Sequence, residues 1–483
     1  MTTNSGVRGR FLTFLVLIFS LAAFAAGPQE KVLYNFQGAP DGTNPSSSLI
    51  ADREGHLYGT TASGGTGMNC EIAYQEVVAC GTVFELIPPT TRGGRWTEKI
   101  LYNFQGGKDG SVPLGSLILD EKGNLYGTTA FGGLSTNCTT GISGYYPGCG
   151  TVFRLSPPSN SGGAWSEALL HVFQGGLDGG EPQSGVIFDA KGNLYGTTEV
   201  GGDGYCHGDS PGCGLVFKLS PPRAQSDSWT ENILWAFKGL GGGYEDGAAP
   251  RGSLLLSNDG KLYGTTSSGG SSACYSGSCG GTVFQLSPDS IKGQPWIEAV
   301  LFNFYDVAGG ATFPGPNLIF DKNGILYGTT DLGGPGSCDN QEEYAFPSCG
   351  TIFSLAPPSG GSWTFTTLYN FVGGSDGAYP EWSGLVIDGK GNLYGTSAYA
   401  GGQGSCTQIK DISGMGCGTV FKLSPPTASV GTWTETTLHA FGGDGDGGTP
   451  YGGLLLKDGT LFGTTTGYSN SSGSNGTVFA IRP

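Results

Sequence analysis

The sequence predicts an all-β protein, a seven-bladed β-propeller with four antiparallel strands in each blade. Three observations lead to this prediction. The 483 residues include 91 glycines, 21 tyrosines, 26 phenylalanines and 8 tryptophans, a composition typical of strands joined by tight turns. One unit of 64 to 70 residues recurs seven times along the chain. Each unit contains four candidate strands and no segment with helical periodicity.

Four short markers define the repeated unit. An LYNF-like segment, an LYGTT segment and a GTVF segment occur in every unit, and a tryptophan lies five residues before the leucine of each LYNF-like segment except the first. The leucines of the LYNF-like segments are Leu33, Leu101, Leu170, Leu234, Leu301, Leu368 and Leu438. Agreement at four markers indicates a repeat architecture rather than several unrelated domains.

The order of the strands predicts how the ring closes. In the second unit, strands A, B, C and D are predicted at residues 114–119, 124–129, 150–155 and 165–173. The seventh unit stops after its strand C, whereas an extra D-like strand at residues 32–36 precedes the first unit. We therefore expect the N-terminal strand to complete blade 7, which leaves no open sheet edge. A parallel β-helix, whose rungs are shorter, is the alternative architecture.

The N-terminus has the pattern of an export signal. Arg8 and Arg10 precede an apolar stretch from Phe11 to Ala26, and the small residues Ala23 and Ala25 suit a cleavage site. The division of the chain is then a signal peptide at residues 1–25, a linker at 26–30 and one propeller domain at 31–483. The alternative, an uncleaved membrane anchor, is disfavoured because the apolar run is short for a spanning helix.

Charge limits the classes of partner. The net charge is −16, so nucleic acid and anionic membrane surfaces are disfavoured. We expect a secreted protein, periplasmic or extracellular, that is monomeric and keeps no membrane span after signal cleavage.

The twelve cysteines form one local pair in each of the first six units, between strands B and C. In an exported chain this arrangement predicts disulfides, and a metal site is disfavoured because the spacings vary and only His207 lies among the cysteines. The predicted pairs are Cys70 with Cys80, Cys138 with Cys149, Cys206 with Cys213, Cys274 with Cys279, Cys338 with Cys349, and Cys406 with Cys417.

A D-G-x-x-P motif between strand D and the next strand A supplies a recurring aspartate. One interpretation is a turn in which the carboxylate accepts backbone N–H bonds, and the other is a Ca²⁺ site. Unit 5 departs from the motif, with Gly310 in place of the aspartate. The candidate metal ligands are Asp41, Asp109, Asp178, Asp246, Asp376 and Asp446.

The D–A and B–C loops are predicted to emerge on the same face of the propeller. The B–C loops vary between units and carry tyrosines, so we expect ligand binding on this rim. The alternative is that the rings only cover sheet edges. The candidate ligand-binding residues are Tyr145, Tyr146, Tyr205 and Tyr275.

The unit resembles the GloVer tandem repeat of exported bacterial proteins, from LYNF through D-G-x-x-P, GNLYGTT and GTVF. The resemblance covers residues 32–479 and implies a secreted or surface-attached repeat protein. No Ser-His-Asp set can be assembled from His56, His171, His207 and His439, so no catalytic residue is assigned. We expect a non-catalytic binding or scaffold propeller for a glycan or an extracellular protein. The alternative is a metal-dependent hydrolase or lactonase acting at the central channel.

Overall fold

The computed structural model describes most of the chain beyond the predicted signal peptide. The described residues are 1, 28–67, 70, 80–135, 137–138, 148–160, 162–204, 206, 212–224, 228–239, 246–270, 280–289, 291, 294–304, 312–336, 338, 348–358, 360–380, 384–402, 406, 416–427, 431–443, 445–467 and 475–483. None of the helices in this part is long and apolar enough to cross a membrane.

Seven antiparallel sheets, each containing strands A, B, C and D in that order, form the seven blades. Strands A are Ile50–Ala51, Ile118–Leu119, Ile187–Phe188, Leu255–Leu256, Ile319–Phe320, Val386–Ile387 and Leu455–Lys457. Strands B are Leu57–Thr61, Leu125–Thr129, Leu194–Thr198, Leu262–Thr266, Leu326–Leu332, Leu393–Ser397 and Thr460–Thr466. Strands C are Thr82–Ile87, Thr151–Ser156, Leu215–Ser220, Thr282–Ser287, Thr351–Ala356, Thr419–Ser424 and Gly476–Arg482.

Strands D complete the blades at their outer edges. Those of blades 1 to 6 are Thr97–Asn103, Ser166–Val172, Thr230–Ala236, Ile297–Asn303, Thr364–Asn370 and Thr434–Ala440, and blade 7 takes Gln29–Asn35. Short strands Gly42–Thr43, Ser63–Gly64 and Thr312–Pro314 and two 3₁₀ turns, Gly107–Asp109 and Gly176–Asp178, lie in the loops. The predicted fold class is confirmed.

The innermost strands are shorter than predicted, because their first residues leave the sheet and pack against the next blade. The prediction for blade 2 was 114–119, whereas the strand is Ile118–Leu119. A Cβ added to Gly115 would lie 2.5 Å from the backbone nitrogen of Gly185 in blade 3. Thr128 donates a hydrogen bond of 2.8 Å to the carbonyl of Ser184, which also joins blades 2 and 3.

The N-terminal strand closes the ring as predicted. Gln29–Asn35 pairs antiparallel with Gly476–Arg482, and the register shifts between Val32 and Tyr34. The same irregularity recurs in the outer pairing of the other blades, for example between Val152 and Phe153 in blade 2. Blade 7, built from both ends of the chain, therefore has the same outer-edge geometry as the other blades.

The hydrophobic core lies between the blades rather than inside any one of them. Each of its seven clusters combines residues of two adjacent blades. At every junction the phenylalanine after strand D meets the GTVF phenylalanine of the next blade edge to face, with centroids 5.1–5.3 Å apart. Phe36 and Phe84 form this pair where the chain ends meet.

The glycine of the LYGTT segment is required by this aromatic packing. In all seven blades a Cβ at this glycine would lie 2.4–2.7 Å from the Cζ of the GTVF phenylalanine in the same blade. We expect Gly127→Ala to lower the free energy of unfolding by about 1–3 kcal/mol, because the ring of Phe153 cannot move without disturbing a close-packed core. Urea denaturation measures the change.

The matched control is Gly389→Ala, at an exposed position where an added Cβ has no neighbour within 4 Å. We expect a change within about 0.5 kcal/mol there. Equal effects of the two substitutions would contradict the packing argument.

Candidate site at the mouth of the central channel

A cavity lies where the ends of the D–A loops meet around the propeller axis. Its volume is about 270 Å³, and six of the seven blades contribute to its wall. The residues of blade 6 at the equivalent positions, 381–383, lie outside the described residues. The lining residues are Ser46, Ser47, Ser48, Leu114, Gly115, Ser116, Gln183, Ser184, Gly185, Arg251, Ser253, Pro316, Asn317, Tyr451 and Gly453.

One side of this cavity carries a charged cluster formed by blades 3 and 4. Arg251 donates to Oε1 of Glu199 from Nε at 2.9 Å and from Nη2 at 2.5 Å. Gln183 donates to the other oxygen, Oε2, of the same carboxylate. Both oxygens of Glu199 are therefore occupied, and this side chain, only 3 % exposed, is a buried counter-ion for Arg251.

Glu181 is a second buried carboxyl group beside this ion pair. It is 3 % exposed, and its Oε1 has no hydrogen-bond partner among the described residues. Burial, with a smaller effect of the nearby Glu199, raises the pKa of Glu181 to about 7 even though Arg251 lowers it in part. Glu181 is therefore a group that can both donate and accept a proton near neutral pH.

The charged cluster is specific to one part of the ring. The residue before the proline of the D-G-x-x-P position is of a different type in every blade, and only one of the seven is charged: Asn44, Val112, Glu181, Ala249, Phe313, Tyr379 and Thr449. The position of Glu199, directly after LYGTT, is occupied in the other blades by Ala62, Ala130, Ser267, Asp331, Ala398 and Thr466. The repeat therefore does not dictate this cluster.

Backbone geometry explains why so many residue types occur before the proline. All seven residues have a positive φ between 49° and 56°. The N–H groups of Val112, Glu181, Ala249, Tyr379 and Thr449 each donate to the carbonyl of the second cysteine of the preceding blade, at 2.8–3.0 Å. The connection is made by the backbone alone, so it constrains the path of the chain and not the side chain.

Tyrosines occupy the cavity wall about three blades further around the ring. The hydroxyl groups of Tyr399 and Tyr451 are 2.6 Å apart, and Tyr379 packs edge to face on Tyr399 with centroids 6.0 Å apart. Tyr451 lines the cavity itself. The cavity therefore has a charged side, an aromatic side and a floor of serines and glycines.

The aspartates of the D-G-x-x-P motif lie away from this cavity, between the outer strands of adjacent blades. Each of the six aspartates accepts a hydrogen bond of 2.9–3.3 Å from a side chain of the preceding strand D. The donor lies seven residues earlier in the sequence for five aspartates and eleven residues earlier for Asp246. The pairs are Asp41 with Tyr34, Asp109 with Tyr102, Asp178 with His171, Asp246 with Trp235, Asp376 with Tyr369, and Asp446 with His439. The aspartates also accept hydrogen bonds from backbone N–H groups; for example, the N–H of Gln105 donates to Oδ2 of Asp109.

A partly buried glutamate of the next strand D completes each of these groups. Burial and the charge of the neighbouring aspartate together raise the pKa of Glu98, Glu167 and Glu435 to about 7 and that of Glu298 to about 8. The sequence analysis did not single out these glutamates. Most of them lie two residues after the recurring tryptophan, and this W-x-E spacing is the signal that was available.

Blade 5 shows that the three positions act as one unit. There the aspartate is replaced by Gly310, the glutamate by Phe365 and the tyrosine or histidine by Phe302. Phe302 and Phe365 stack with centroids 4.3 Å apart and an interplanar angle of 7°. An apolar contact thus replaces the polar group, whereas Gly310 itself lies outside the described residues.

Five of the six predicted cysteine pairs are disulfides, with S–S distances of 1.90–2.11 Å. The sixth pair, Cys274 and Cys279, lies outside the described residues, as do the candidate ligand-binding tyrosines Tyr145, Tyr146, Tyr205 and Tyr275. The structure therefore adds the channel mouth to the candidate sites and leaves the prediction for the B–C tyrosines untested.

These features define a seven-bladed propeller built from one tandem repeat and stapled by disulfides. A profile of the Gloeobacter/Verrucomicrobia repeat family matches residues 136–409, more than half of the chain. The protein belongs to this repeat family, as its sequence indicated. A comparison with curated proteins finds no match.

Solved structures with a similar fold have little sequence in common with the chain. A protein of unknown function from Dyadobacter fermentans is 11 % identical, with a TM-score of 0.42 over 94 % of this chain and 98 % of its own. An ulvan lyase of polysaccharide lyase family PL25 is 11 % identical, with a TM-score of 0.49 over 93 % and 95 %. A gluconolactonase from Xanthomonas campestris is 14 % identical, with a TM-score of 0.33 over 69 % and 78 %.

Proposed function

We propose that the protein is a secreted, non-catalytic binding propeller that takes a glycan at the mouth of its central channel. The observation that supports this most is the asymmetry of the cavity wall, with Arg251 and its buried partners on one side and Tyr451 on the other. Ligand sites combine apolar or aromatic surface with a few placed polar groups. A sugar needs both kinds of surface, because its ring has apolar C–H faces and a hydroxyl-bearing edge.

The disulfides support the proposed location and the proposed face. Local disulfides are typical of exported proteins, and each described one lies beside the D–A loop of the next blade. The carbonyl of Cys149 accepts the N–H of Glu181 at 2.9 Å, so a stapled loop holds the backbone of the charged cluster. A rim fixed in this way loses little conformational entropy when a ligand binds.

The test is a glycan-array screen followed by calorimetry with the glycan that binds best. We expect Arg251→Gln and Tyr451→Ala each to weaken binding by about tenfold or more, because each removes one of the two kinds of contact. The control is Lys122→Ala, in an exposed A–B turn on the opposite face, which should leave affinity unchanged. If only the control variant weakened binding, the site would lie elsewhere.

Hydrolysis in the same channel is the second candidate function, and Glu181 is the observation that favours it. A buried carboxyl group whose pKa is about 7 has the properties of a general acid or base. To distinguish the two functions, the glycan is incubated with the protein and its products are analysed by chromatography. Recovery of intact glycan supports a binding protein, and release of smaller products that is lost in Glu181→Gln supports a hydrolase.

A further inference from the structure

One of the polar groups between the outer strands differs from most of the others in its chemistry. At the junction of blades 2 and 3, His171, Asp178 and Glu231 place three potential ligand atoms within 4.8 Å of one another. The equivalent position to His171 is a tyrosine in three blades and a tryptophan in one. A neutral imidazole nitrogen is a good ligand for divalent transition metals, whereas a protonated phenol or an indole is not.

The two distances from the imidazole nitrogen to the carboxylate oxygens match the edges of a metal-coordination tetrahedron. Nε2 of His171 lies 3.3 Å from Oδ2 of Asp178 and 3.6 Å from Oε1 of Glu231. Bonds of 2.0–2.2 Å to zinc imply ligand-to-ligand edges of about 3.3–3.6 Å in a tetrahedron. Since all three atoms lie within 4.8 Å of one another, side-chain movement can bring them around one ion.

The first two ligands are held in place by their own neighbours. The ring of His171 packs edge to face on the buried Phe173, with centroids 4.7 Å apart. Asp178 accepts the backbone N–H of Gln174 at 2.6 Å through the same Oδ2 that faces the imidazole. Second contacts of this kind orient metal ligands and raise affinity.

The charge of the triad also suits a divalent cation. Two carboxylates and a neutral imidazole carry a charge of −2, and no lysine or arginine of the described part of the chain forms an ion pair with any of the three. A cation bound between the two carboxylates offsets the repulsion between their charges.

We propose that His171, Asp178 and Glu231 bind a divalent first-row transition ion such as Zn²⁺ at the junction of blades 2 and 3. The side chains are 18 %, 26 % and 14 % exposed, so an ion can enter from solvent and a water molecule can complete the coordination. This site differs from the Ca²⁺ sites considered for all six aspartates, since Ca²⁺ prefers six to eight oxygen ligands. It is independent of the proposed glycan site.

The experiment uses the full secreted chain, freed of metal with EDTA and titrated with ZnCl₂ by calorimetry. His171→Tyr is the sharpest variant, because it recreates the polar group that blade 1 forms with Tyr102 and Asp109 and so leaves folding undisturbed. We expect His171→Tyr and Glu231→Gln each to remove one equivalent of bound Zn²⁺, or to weaken that equivalent at least about tenfold.

The equivalent group at the junction of blades 6 and 7 provides the control. Its His439 and Asp446 have Nε2 and Oδ2 atoms 3.2 Å apart, but its glutamate, Glu30, does not bring a third ligand atom within 4.8 Å of both. His439→Tyr should retain the equivalent that His171→Tyr loses. In crystals grown with Zn²⁺, an anomalous-scattering peak among the three side chains would support the site. The proposal is overturned if both variants titrate like the wild type, or if such crystals show no peak there.

Discussion

A chain that lacks residues 29–36 is expected to lose the cooperative folding of the ring. These residues form strand D of blade 7 and supply Phe36, which is 3 % exposed against the core of blade 1. Their removal opens a sheet edge along Gly476–Arg482 and leaves Phe84 without its aromatic partner. We expect a fall of more than about 10 °C in Tm, measured by calorimetry, since closure holds the first and last blades together.

The deletion has a graded control and a rescue. Phe36→Ala keeps the strand and removes only the aromatic contact, so it should cost about 3–5 kcal/mol and preserve a single transition. A synthetic peptide with the sequence of residues 29–36 should bind the truncated protein and raise its Tm. An unchanged Tm in the truncated protein would show that the pairing seen at this edge contributes nothing to stability.

The second large effect is a loss of stability as the pH rises from about 4.5 to 8. Glu98, Glu167 and Glu435 titrate at a pKa of about 7 in the folded protein, and Glu298 at about 8, against an ordinary value of 4.5. The folded state thus holds more protons than the unfolded state throughout this interval. The contribution of these four groups to stability is therefore greatest at the low end of the interval and declines as each carboxyl group ionises beside its aspartate.

Thermal unfolding in EDTA-containing buffers at several pH values measures this slope. Glu298→Gln, which cannot ionise beside Asp246, should make the slope shallower and leave the Tm at low pH nearly unchanged. Hydrogen exchange, corrected for intrinsic rates, provides an internal control in blade 5. The amides next to Phe365 in strand Thr364–Asn370, where a phenylalanine replaces the glutamate, should keep their protection while the amides next to the glutamates of the other outer strands lose theirs. Uniform loss in all blades would refute the role of the glutamates.

The architecture could be predicted from the sequence because every unit repeats the same markers. The LYGTT and GTVF segments recur with the same burial, since in every blade the LYGTT glycine packs against the GTVF phenylalanine of that blade. The N-terminal strand could be assigned to blade 7 by counting the strands of each unit. The bounds of strands A were less predictable. Residues such as Gly115 leave the sheet because of a contact with the next blade, which no local pattern shows.

The charged cluster at the channel could not be predicted for a related reason. Glu181 and Glu199 belong to blade 3 and Arg251 to blade 4, and a repeat analysis treats each of them as a variable position. Only the ring brings residues 52 positions apart into an ion pair. Of the polar groups between the outer strands, only the aspartates could be predicted, because they belong to the repeated D-G-x-x-P motif.

The seven residues before the prolines, all with positive φ, have a consequence for how the sequence of this protein can change. Their backbone bonds hold neighbouring blades together, and seven different amino acids already satisfy that geometry. A substitution at any of them changes a side chain near the channel end of a D–A loop without removing the backbone bond between the blades. The scaffold therefore offers seven positions at which side-chain chemistry can be exchanged, or engineered, one blade at a time.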